Sequence, residues 1–289
     1  MGTSPLATGS SKKSGAPEAH WGTIVMAGPP GHSGPHWTAG AEKGTMRGRT
    51  ALITGAVRRI GRAIAFRLAD EGINIVVHAR GHGAATEFCG ELAGRGVKAY
   101  AAAADLEKPE EYGNLVERAL NAAGSLDILV NNASIIHFGA IEDIDFESFV
   151  RHMQVNAWAP FVLIRDFARL AGKGKVINLL DSGISGFDWG HVAYILSKHA
   201  LSVLTKMTAV RFAPAVTVNG ISPGLILPPE GTGGGYPRRL ARVPLKRRGT
   251  PEDIAEAAIY LARSDYLTGE IINVDGGLSL MEHAEWTAS

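Results

Sequence analysis

Two side chains that lie four residues apart could carry acid–base chemistry in this sequence. Tyr194 and Lys198 fall in a segment whose apolar residues recur at helical spacing, so they share one face of a helix. A nearby positive charge favours a phenolate and lowers the pKa of a phenol from about 10 toward working pH. The pattern predicts a tyrosine that passes a proton, although the same spacing also fits two side chains at a helix surface.

The elements that must position this pair alternate between short apolar runs and amphipathic helical patterns. The apolar runs end at turn signals and are apolar on both faces, which is typical of buried parallel strands. Alternation of such strands with helices predicts an α/β fold. The predicted strands cover residues 50–53, 73–77, 98–104, 126–130, 176–180, 216–221 and 271–274.

The turn after the first strand, residues 54–61, is a candidate nucleotide site and is called the glycine turn below. Gly55 and Gly61 would let backbone approach a pyrophosphate at the start of a helix, which offers unpaired N–H groups. Arg59 stands where a middle glycine is expected in a dinucleotide fingerprint. With Arg58 it could bind phosphate oxygens, whereas two glycines alone also fit a tight structural turn.

The end of the second strand indicates which dinucleotide is bound. Enzymes that select NAD usually carry Asp or Glu at this position, whereas here no carboxylate occurs before Glu87. We therefore predict NADP(H), with Arg59 and Arg80 as contacts to the 2′-phosphate and His82 as a further candidate.

Polar residues follow the next two predicted strands. Asp105, before Leu106, could accept a hydrogen bond from an adenine amino group. Asn131 and Asn132 could tie neighbouring strands together or line the cofactor. Asn156 lies in a predicted helix and must be hydrogen-bonded if it is buried, either as a structural bridge or as part of a proton relay.

Composition limits the remaining possibilities. The chain has 289 residues, a net charge of +1 and one cysteine, Cys89, so we expect a reducing compartment, no structural metal and no nucleic-acid partner. No apolar run reaches the length of a membrane span, which predicts a soluble, cytoplasmic protein. Residues 1–45 are rich in Gly, Ser and Pro and are interpreted as a flexible tail. The folded domain is expected over residues 46–289.

The ordered motifs together resemble the short-chain dehydrogenase/reductase family over about residues 49–280. The motifs are Thr54-Gly55 with Gly61, Asp105, Asn131-Asn132-Ala133, Asn156, Tyr194 with Lys198, Ser222-Pro223-Gly224 and Asp275-Gly276-Gly277. The resemblance implies a single Rossmann-like, doubly wound domain with about seven parallel strands. It also implies hydride transfer, with Tyr194 as proton donor, Lys198 lowering its pKa and holding the nicotinamide ribose, and Asn156 supporting a water relay. The predicted cofactor contacts are Thr54, Gly55, Arg58, Arg59, Ile60, Gly61, Arg80, Asp105, Leu106, Asn132, Ala133, Ser134, Tyr194, Lys198, Pro223, Gly224 and Leu225.

Departures from the general family pattern narrow the predicted substrate. Asp181 occupies the position, thirteen residues before the tyrosine, where the family usually has a serine. Together with Arg59 and with Ser134 in place of a glycine, it resembles pteridine and dihydromonapterin reductases. Reduction of a C=N bond needs a proton at nitrogen, which Asp181 and Tyr194 could supply. Asp181 could instead only cap the following turn.

Other interpretations stay open at this stage. A carbonyl or 3-oxoacyl thioester reductase could use Ser182, and a non-catalytic NADP sensor is a third reading. Where parasite pteridine reductases stack the substrate on an aromatic ring, this chain has Ile135 and Ile136. Either His137 or Phe138 supplies the aromatic ring that stacks on the substrate, or aliphatic side chains pack against the substrate instead.

The resemblance also implies features around the substrate and between subunits. A substrate loop is expected at about residues 225–248, with residues 228–236 as a lid. The last helix and strand are expected to form contacts in a homotetramer.

Overall fold

The computed structural model describes residues 1–2, 45–227 and 236–282. The chain divides into two units, residues 1–42 and 43–289, and the fold below is that of the second unit. The predicted flexible tail and the predicted lid therefore lie outside the described residues, apart from residues 1–2, residue 45 and the backbone of residue 236.

Seven parallel strands form one sheet in the order β3-β2-β1-β4-β5-β6-β7, which confirms the predicted α/β, Rossmann-like architecture. The strands are β1 (Thr50–Ile53), β2 (Asn74–Ala79), β3 (Ala99–Ala103), β4 (Ile128–Asn131), β5 (Gly174–Leu179), β6 (Val216–Pro223) and β7 (Ile271–Val274). β1 pairs with β2 on one side and with β4 on the other, so the strand order reverses there. Ligands of such sheets bind outside the carboxyl ends of the strands at this reversal.

Helices cover both faces of the sheet. They are α1 (Arg59–Asp70), α2 (His82–Ala93), α3 (Pro109–Tyr112), α4 (Leu115–Ala123), α5 (Phe146–Met153), α6 (Ala159–Leu170), α7 (Val192–Phe212), α8 (Tyr236–Arg242) and α9 (Pro251–Arg263). Two buried apolar clusters separate these layers from the sheet, one beneath α1, α2 and α9 and the other beneath α4, α6 and part of α7. Because the central strands β1, β2 and β4 are buried on both faces, their sequences are mostly apolar rather than alternating.

Two predicted helices differ from the observed ones. The helix predicted between the third and fourth strands is two helices, α3 and α4, separated by Gly113 and Asn114. The predicted helix that carries Asn156 is α helical only to Met153 and continues as a π turn, Gln154–Trp158. The π turn brings Asn156 to a fully buried position beside the carboxyl end of β4.

Within the described ranges, no helix is long and apolar enough to cross a membrane.

Candidate active site

A cleft of about 500 Å³ opens where the strand order reverses, at the carboxyl ends of β1, β2 and β4. It contains eleven of the residues predicted to contact a cofactor: Gly55, Arg58, Arg59, Ile60, Arg80, Asp105, Leu106, Asn132, Ala133, Ser134 and Tyr194. The topology therefore brings together residues that are far apart in the sequence, such as Gly55 and Tyr194.

The glycine turn is held against β4 by a compact set of hydrogen bonds. Asn132 donates from Nδ2 to the carbonyl oxygens of Thr54 (2.8 Å) and Gly55 (3.1 Å). Thr54 accepts at Oγ1 from the backbone N–H groups of Asn132 (2.9 Å) and Ala133 (3.0 Å). A Cβ on Gly61 would overlap both the Gly55 oxygen and Asn132 Nδ2. Glycine at 61 is thus required for the close approach of helix α1 to this turn.

Arg59 adopts φ +53°, in the left-handed region that favours glycine. The sequence places Arg59 where the dinucleotide fingerprint has its middle glycine, so the backbone keeps a glycine-like conformation although the residue is arginine. Arg58 and Arg59 both line the cleft, which gives the turn a cationic character that suits phosphate.

Arg80 reaches the cleft from the end of β2, and carboxylates approach it from the loop after β3. Its guanidinium lies 3.9 Å from Asp105 Oδ1 and 3.9 Å from Glu107 Oε1. The β2 end itself carries no carboxylate, but the fold supplies two from a neighbouring loop, which the local sequence did not indicate. Asp105 also accepts from the Glu107 N–H at 3.1 Å, so it shapes this loop.

A second polar group lies at the end of β5. The Tyr194 hydroxyl donates to Asp181 Oδ2 at 2.8 Å, while Asp181 Oδ1 accepts from the Gly183 N–H at 2.7 Å. Asp181 therefore caps the following 3₁₀ turn and contacts the tyrosine at the same time. Ser182 is buried in that turn, with 4% of its surface exposed.

Lys198 lies beneath Tyr194 and is almost fully buried. Its Nζ donates to the carbonyl oxygen of Leu179 at 2.8 Å and lies 5.7 Å from the centre of the Tyr194 ring. Burial lowers the pKa of Lys198 to about 8, against an opposing effect of the Asp181 charge.

The predicted direction of the Tyr194 pKa is wrong. Burial first, and then the charge and hydrogen bond of Asp181, raise the pKa of Tyr194 well above its usual value. Lys198 shares the helix face as predicted, but its ammonium points to the end of β5. The phenol is therefore protonated at neutral pH.

Asn156 makes four hydrogen bonds with its side chain. Nδ2 donates to Ile135 O (2.9 Å) and Ser197 Oγ (3.0 Å), and Oδ1 accepts from Ile135 N (2.9 Å) and Ser134 Oγ (3.0 Å). Because an amide has two donors and two acceptor sites, this side chain is fully satisfied. It fixes the segment after β4 to α7, the helix that carries Tyr194.

Six predicted cofactor residues are not among those that line the cleft: Thr54, Gly61 and Lys198, whose contacts are described above, and Pro223, Gly224 and Leu225. Pro223 ends β6, Gly224 donates to Val274 O at 3.0 Å, and Leu225 O accepts from Gly249 N at 3.0 Å. These last three lie at the same carboxyl edge of the sheet, at the end of β6, which is three strands from β1. His82 pairs with Thr86 on the exposed side of α2 and does not line the cleft.

Residues 135–138, which follow β4, lie where parasite pteridine reductases have an aromatic ring that stacks on the substrate. Ile135 and Ile136 line the cleft, whereas the Phe138 ring packs edge-on against His191 with 5.8 Å between ring centres. The backbone N–H of His137 donates to His152 Nε2 at 3.2 Å. The described residues thus present aliphatic side chains at this wall of the cleft.

His78 is a site residue that the sequence reasoning did not single out. It lies near the end of β2, is 3% exposed and lines the cleft. Burial lowers the pKa of His78 to about 4, so the imidazole is neutral at physiological pH. A histidine inside an otherwise apolar buried strand was the available signal, because such a residue needs hydrogen-bond partners.

Comparison with known proteins agrees with this geometry. A family model described as enoyl-(acyl carrier protein) reductase matches residues 55–279. An uncharacterized oxidoreductase of Methylorubrum extorquens is 34% identical over 245 residues, which cover 81% of this chain and 98% of that protein. The 3-oxoacyl-[acyl-carrier-protein] reductase FabG of Staphylococcus epidermidis is 31% identical, covering 80% of this chain and 98% of that protein. The chain belongs to the short-chain dehydrogenase/reductase family of oxidoreductases.

A solved structure with the same fold is FolM alternative dihydrofolate reductase 1 of Brucella canis, complexed with NADP. It superposes with a TM-score of 0.76 at 29% identity, over 85% of this chain and 98% of that chain.

Proposed function

We propose that this protein is an NADPH-dependent reductase of pterins, which converts a dihydropterin or a dihydrofolate-like substrate to its tetrahydro form. The observation that carries the proposal is the 2.8 Å hydrogen bond from Tyr194 to Asp181 Oδ2. The similarity to an alternative dihydrofolate reductase complexed with NADP supports it.

The arginines that line the cleft suit the phosphate groups of NADPH. Gly61 lets the start of α1 lie close to the glycine turn, because a Cβ there would overlap the Gly55 oxygen and Asn132 Nδ2. The backbone N–H groups at this helix start and the arginines at 58, 59 and 80 are suited to bind phosphate groups. NADPH supplies a hydride when it is bound. The residues that would hold NADPH are the eleven predicted contacts that line the cleft. Thr54 and Gly61 would shape the glycine turn, and Lys198 would bind the nicotinamide ribose.

The Tyr194–Asp181 pair supplies the proton that C=N reduction consumes. Hydride adds to carbon and the C=N π electrons take up a proton at nitrogen, so a dihydropterin plus one hydride and one proton gives the tetrahydropterin. The raised pKa of Tyr194 keeps its proton in place at neutral pH. The Asp181 carboxylate can accept hydrogen bonds from ring N–H or amino groups, which a pterin offers and a simple ketone does not.

Lys198 and Asn156 have supporting roles in this proposal. The Lys198 ammonium lies beneath Tyr194 and lowers the cost of phenolate formation when Tyr194 gives up its proton. Asn156 keeps α7 in register with the end of β4, because its side chain bonds to Ile135 and to Ser197.

Reduction of a carbonyl is the second candidate function, because the curated relatives include a 3-oxoacyl-[acyl-carrier-protein] reductase. This function would require Ser182 to orient the carbonyl. Ser182 is 4% exposed, whereas Asp181 contacts the tyrosine directly, so the geometry favours the pterin.

Substitutions of Asp181 separate its chemistry from its role as a turn cap. Asp181→Asn keeps an oxygen that can accept from the Gly183 N–H but removes the charge, whereas Asp181→Ala removes both. We expect both variants to lose dihydropterin turnover by about 10²-fold or more and to keep NADPH binding. Dihydropterin turnover by Asp181→Asn at the wild-type rate would mean that Asp181 is only a cap, and retained carbonyl reduction by Asp181→Ala would favour the second candidate.

We extend the proposal to a cytoplasmic homotetramer in which α9 and β7 form subunit contacts. Tyr260 on α9 leaves 56% of its surface exposed, which is consistent with a contact there. Light scattering on the purified protein tests the expected mass of four chains.

A further inference from the structure

His78 connects the glycine turn to the ends of two strands. Its Nδ1 accepts a hydrogen bond from the Gly55 N–H at 3.1 Å, and its backbone oxygen accepts from the Ala56 N–H at 3.0 Å. Its Nε2 lies 3.0 Å from the carbonyl oxygen of Ala104, just beyond β3. One residue of β2 therefore holds two consecutive amides of the turn and the strand end on its other side.

The partners of the imidazole determine its tautomer. The Gly55 N–H can only donate, so Nδ1 must be an unprotonated acceptor, and Ala104 O can only accept, so Nε2 must carry the proton. A charged imidazolium has no acceptor and could not hold the Gly55 amide. The low pKa of His78, which burial causes, is consistent with this neutral form.

The position of Gly55 explains why this link matters. Gly55 has φ +63°, and its carbonyl oxygen accepts from Asn132 Nδ2 on the opposite wall of the cleft. The two peptide groups that flank Gly55 are therefore held from both sides. His78 accepts from the N–H groups of Gly55 and Ala56, and Asn132 donates to the oxygens of Thr54 and Gly55. The orientation of Gly55 in turn sets where α1 begins, because Gly61 packs against the Gly55 oxygen.

We infer that His78 is a positioning residue for cofactor binding, which orients the glycine turn through the hydrogen bond from Gly55 N to Nδ1. This inference rests on the proposed use of NADPH in this cleft. His78 need not touch the cofactor, since it acts through Gly55. The link is directional, so the two ring nitrogens should contribute unequally to cofactor affinity.

Two amide substitutions separate the two ring nitrogens. The side-chain oxygen of Asn occupies the position of Nδ1 and can accept from Gly55, whereas the Gln amide nitrogen reaches the position of Nε2 and can donate to Ala104. We expect His78→Gln to weaken NADPH binding by about 10-fold and His78→Asn to bind nearly as tightly as the wild type. The kcat at saturating NADPH should be unchanged in both variants, so that only the KM for NADPH moves.

A matched control distinguishes positioning from general loss of stability. Asn219 is equally buried and also bridges two segments, since it donates to Leu267 O and accepts from Glu270 N, but it lies on β6 away from the glycine turn. Asn219→Leu should lower the free energy of unfolding without changing NADPH affinity. Titration of NADPH fluorescence and urea unfolding of all four proteins give both quantities.

The outcomes separate this inference from the proposed function. Weaker NADPH binding by His78→Gln than by His78→Asn, at similar stability, supports the positioning role. Equal NADPH affinity in the wild type and His78→Gln would overturn the role of His78 alone. Affinities that follow stability in every variant, including Asn219→Leu, would also overturn it. A wild-type protein that binds no NADPH would overturn the proposed function itself.

Discussion

The Tyr194 hydroxyl donates to Asp181 Oδ2 at 2.8 Å and joins the first turn of α7 to the end of β5. Asp181 is anchored on its other side by the Gly183 N–H, so the carboxylate has a fixed orientation toward the phenol. Burial raises the pKa of Tyr194, and the charge and hydrogen bond of Asp181 raise it further, because a phenol that donates to a carboxylate keeps its proton more strongly. This pair sets the chemistry that we propose for the site.

Tyr194→Phe removes the proton donor and keeps the ring. We expect dihydropterin turnover to fall by about 10²-fold or more, because general acid catalysis contributes about that much, while NADPH affinity is unchanged. Steady-state kinetics and NADPH fluorescence titration give the two values. Tyr100→Phe, which alters a half-buried tyrosine on the edge strand β3, serves as the control. Full activity of Tyr194→Phe would contradict the mechanism.

Gly61→Ala should abolish NADPH binding. The added methyl group would overlap the Gly55 oxygen and Asn132 Nδ2, so either the glycine turn or the start of α1 must shift. Gly81→Ala is a matched control at the neighbouring strand end, because a Cβ there meets nothing within 4 Å. Calorimetric titration with NADPH measures both variants. Wild-type affinity in Gly61→Ala would show that the turn does not shape the cofactor site.

Lys198→Met should make the protein more stable at pH 7 while it abolishes turnover. Burial lowers the Lys198 pKa from 10.5 to about 8, which corresponds to a cost of about 3 kcal/mol for the buried ammonium below pH 8. The unpaired Leu179 oxygen offsets part of the gain in the variant. The wild type regains stability as pH rises from 8 to 10.5, so the advantage of the variant should shrink over that range.

Urea unfolding at pH 7 and pH 10 checks the Lys198 prediction. Lys175→Met is the control, because Lys175 also donates to a backbone carbonyl but has Asp265 as an ion-pair partner. The Lys175→Met variant should therefore have a lower free energy of unfolding than the wild type. A Lys198→Met protein that is less stable than the wild type at pH 7 would mean that the Lys198 hydrogen bond outweighs the cost of its burial.

The sheet was predictable because each strand is a short run that is apolar on both faces. All seven predicted runs overlap the observed strands. The helix boundaries were less predictable. Gly113 and Asn114 interrupt a pattern that is otherwise helical, and the π turn at residues 154–158 depends on packing around Asn156, which periodicity does not report.

The site was predictable to the extent that it depends on the ends of parallel strands. Residues of the glycine turn, Arg80, Asp105 and Asn132 come together because strand ends meet at one edge of a sheet. The pKa of Tyr194 was not predictable, since helical spacing places Lys198 on the same face but shows neither the burial of the phenol nor its hydrogen bond to Asp181. The partners of His78 lie 23 and 26 residues away, on other segments, and only the fold reveals them.

NADPH consumption by the purified protein distinguishes a pterin reductase from a carbonyl reductase. Dihydrobiopterin, dihydromonapterin and dihydrofolate would be compared with an acetoacetyl thioester and diacetyl at equal concentrations. We predict turnover of at least one dihydropterin or of dihydrofolate, with little oxidation of NADPH by the two carbonyl compounds. Turnover of the carbonyl compounds alone would contradict the pterin assignment and leave the short-chain reductase family as the identity of the chain.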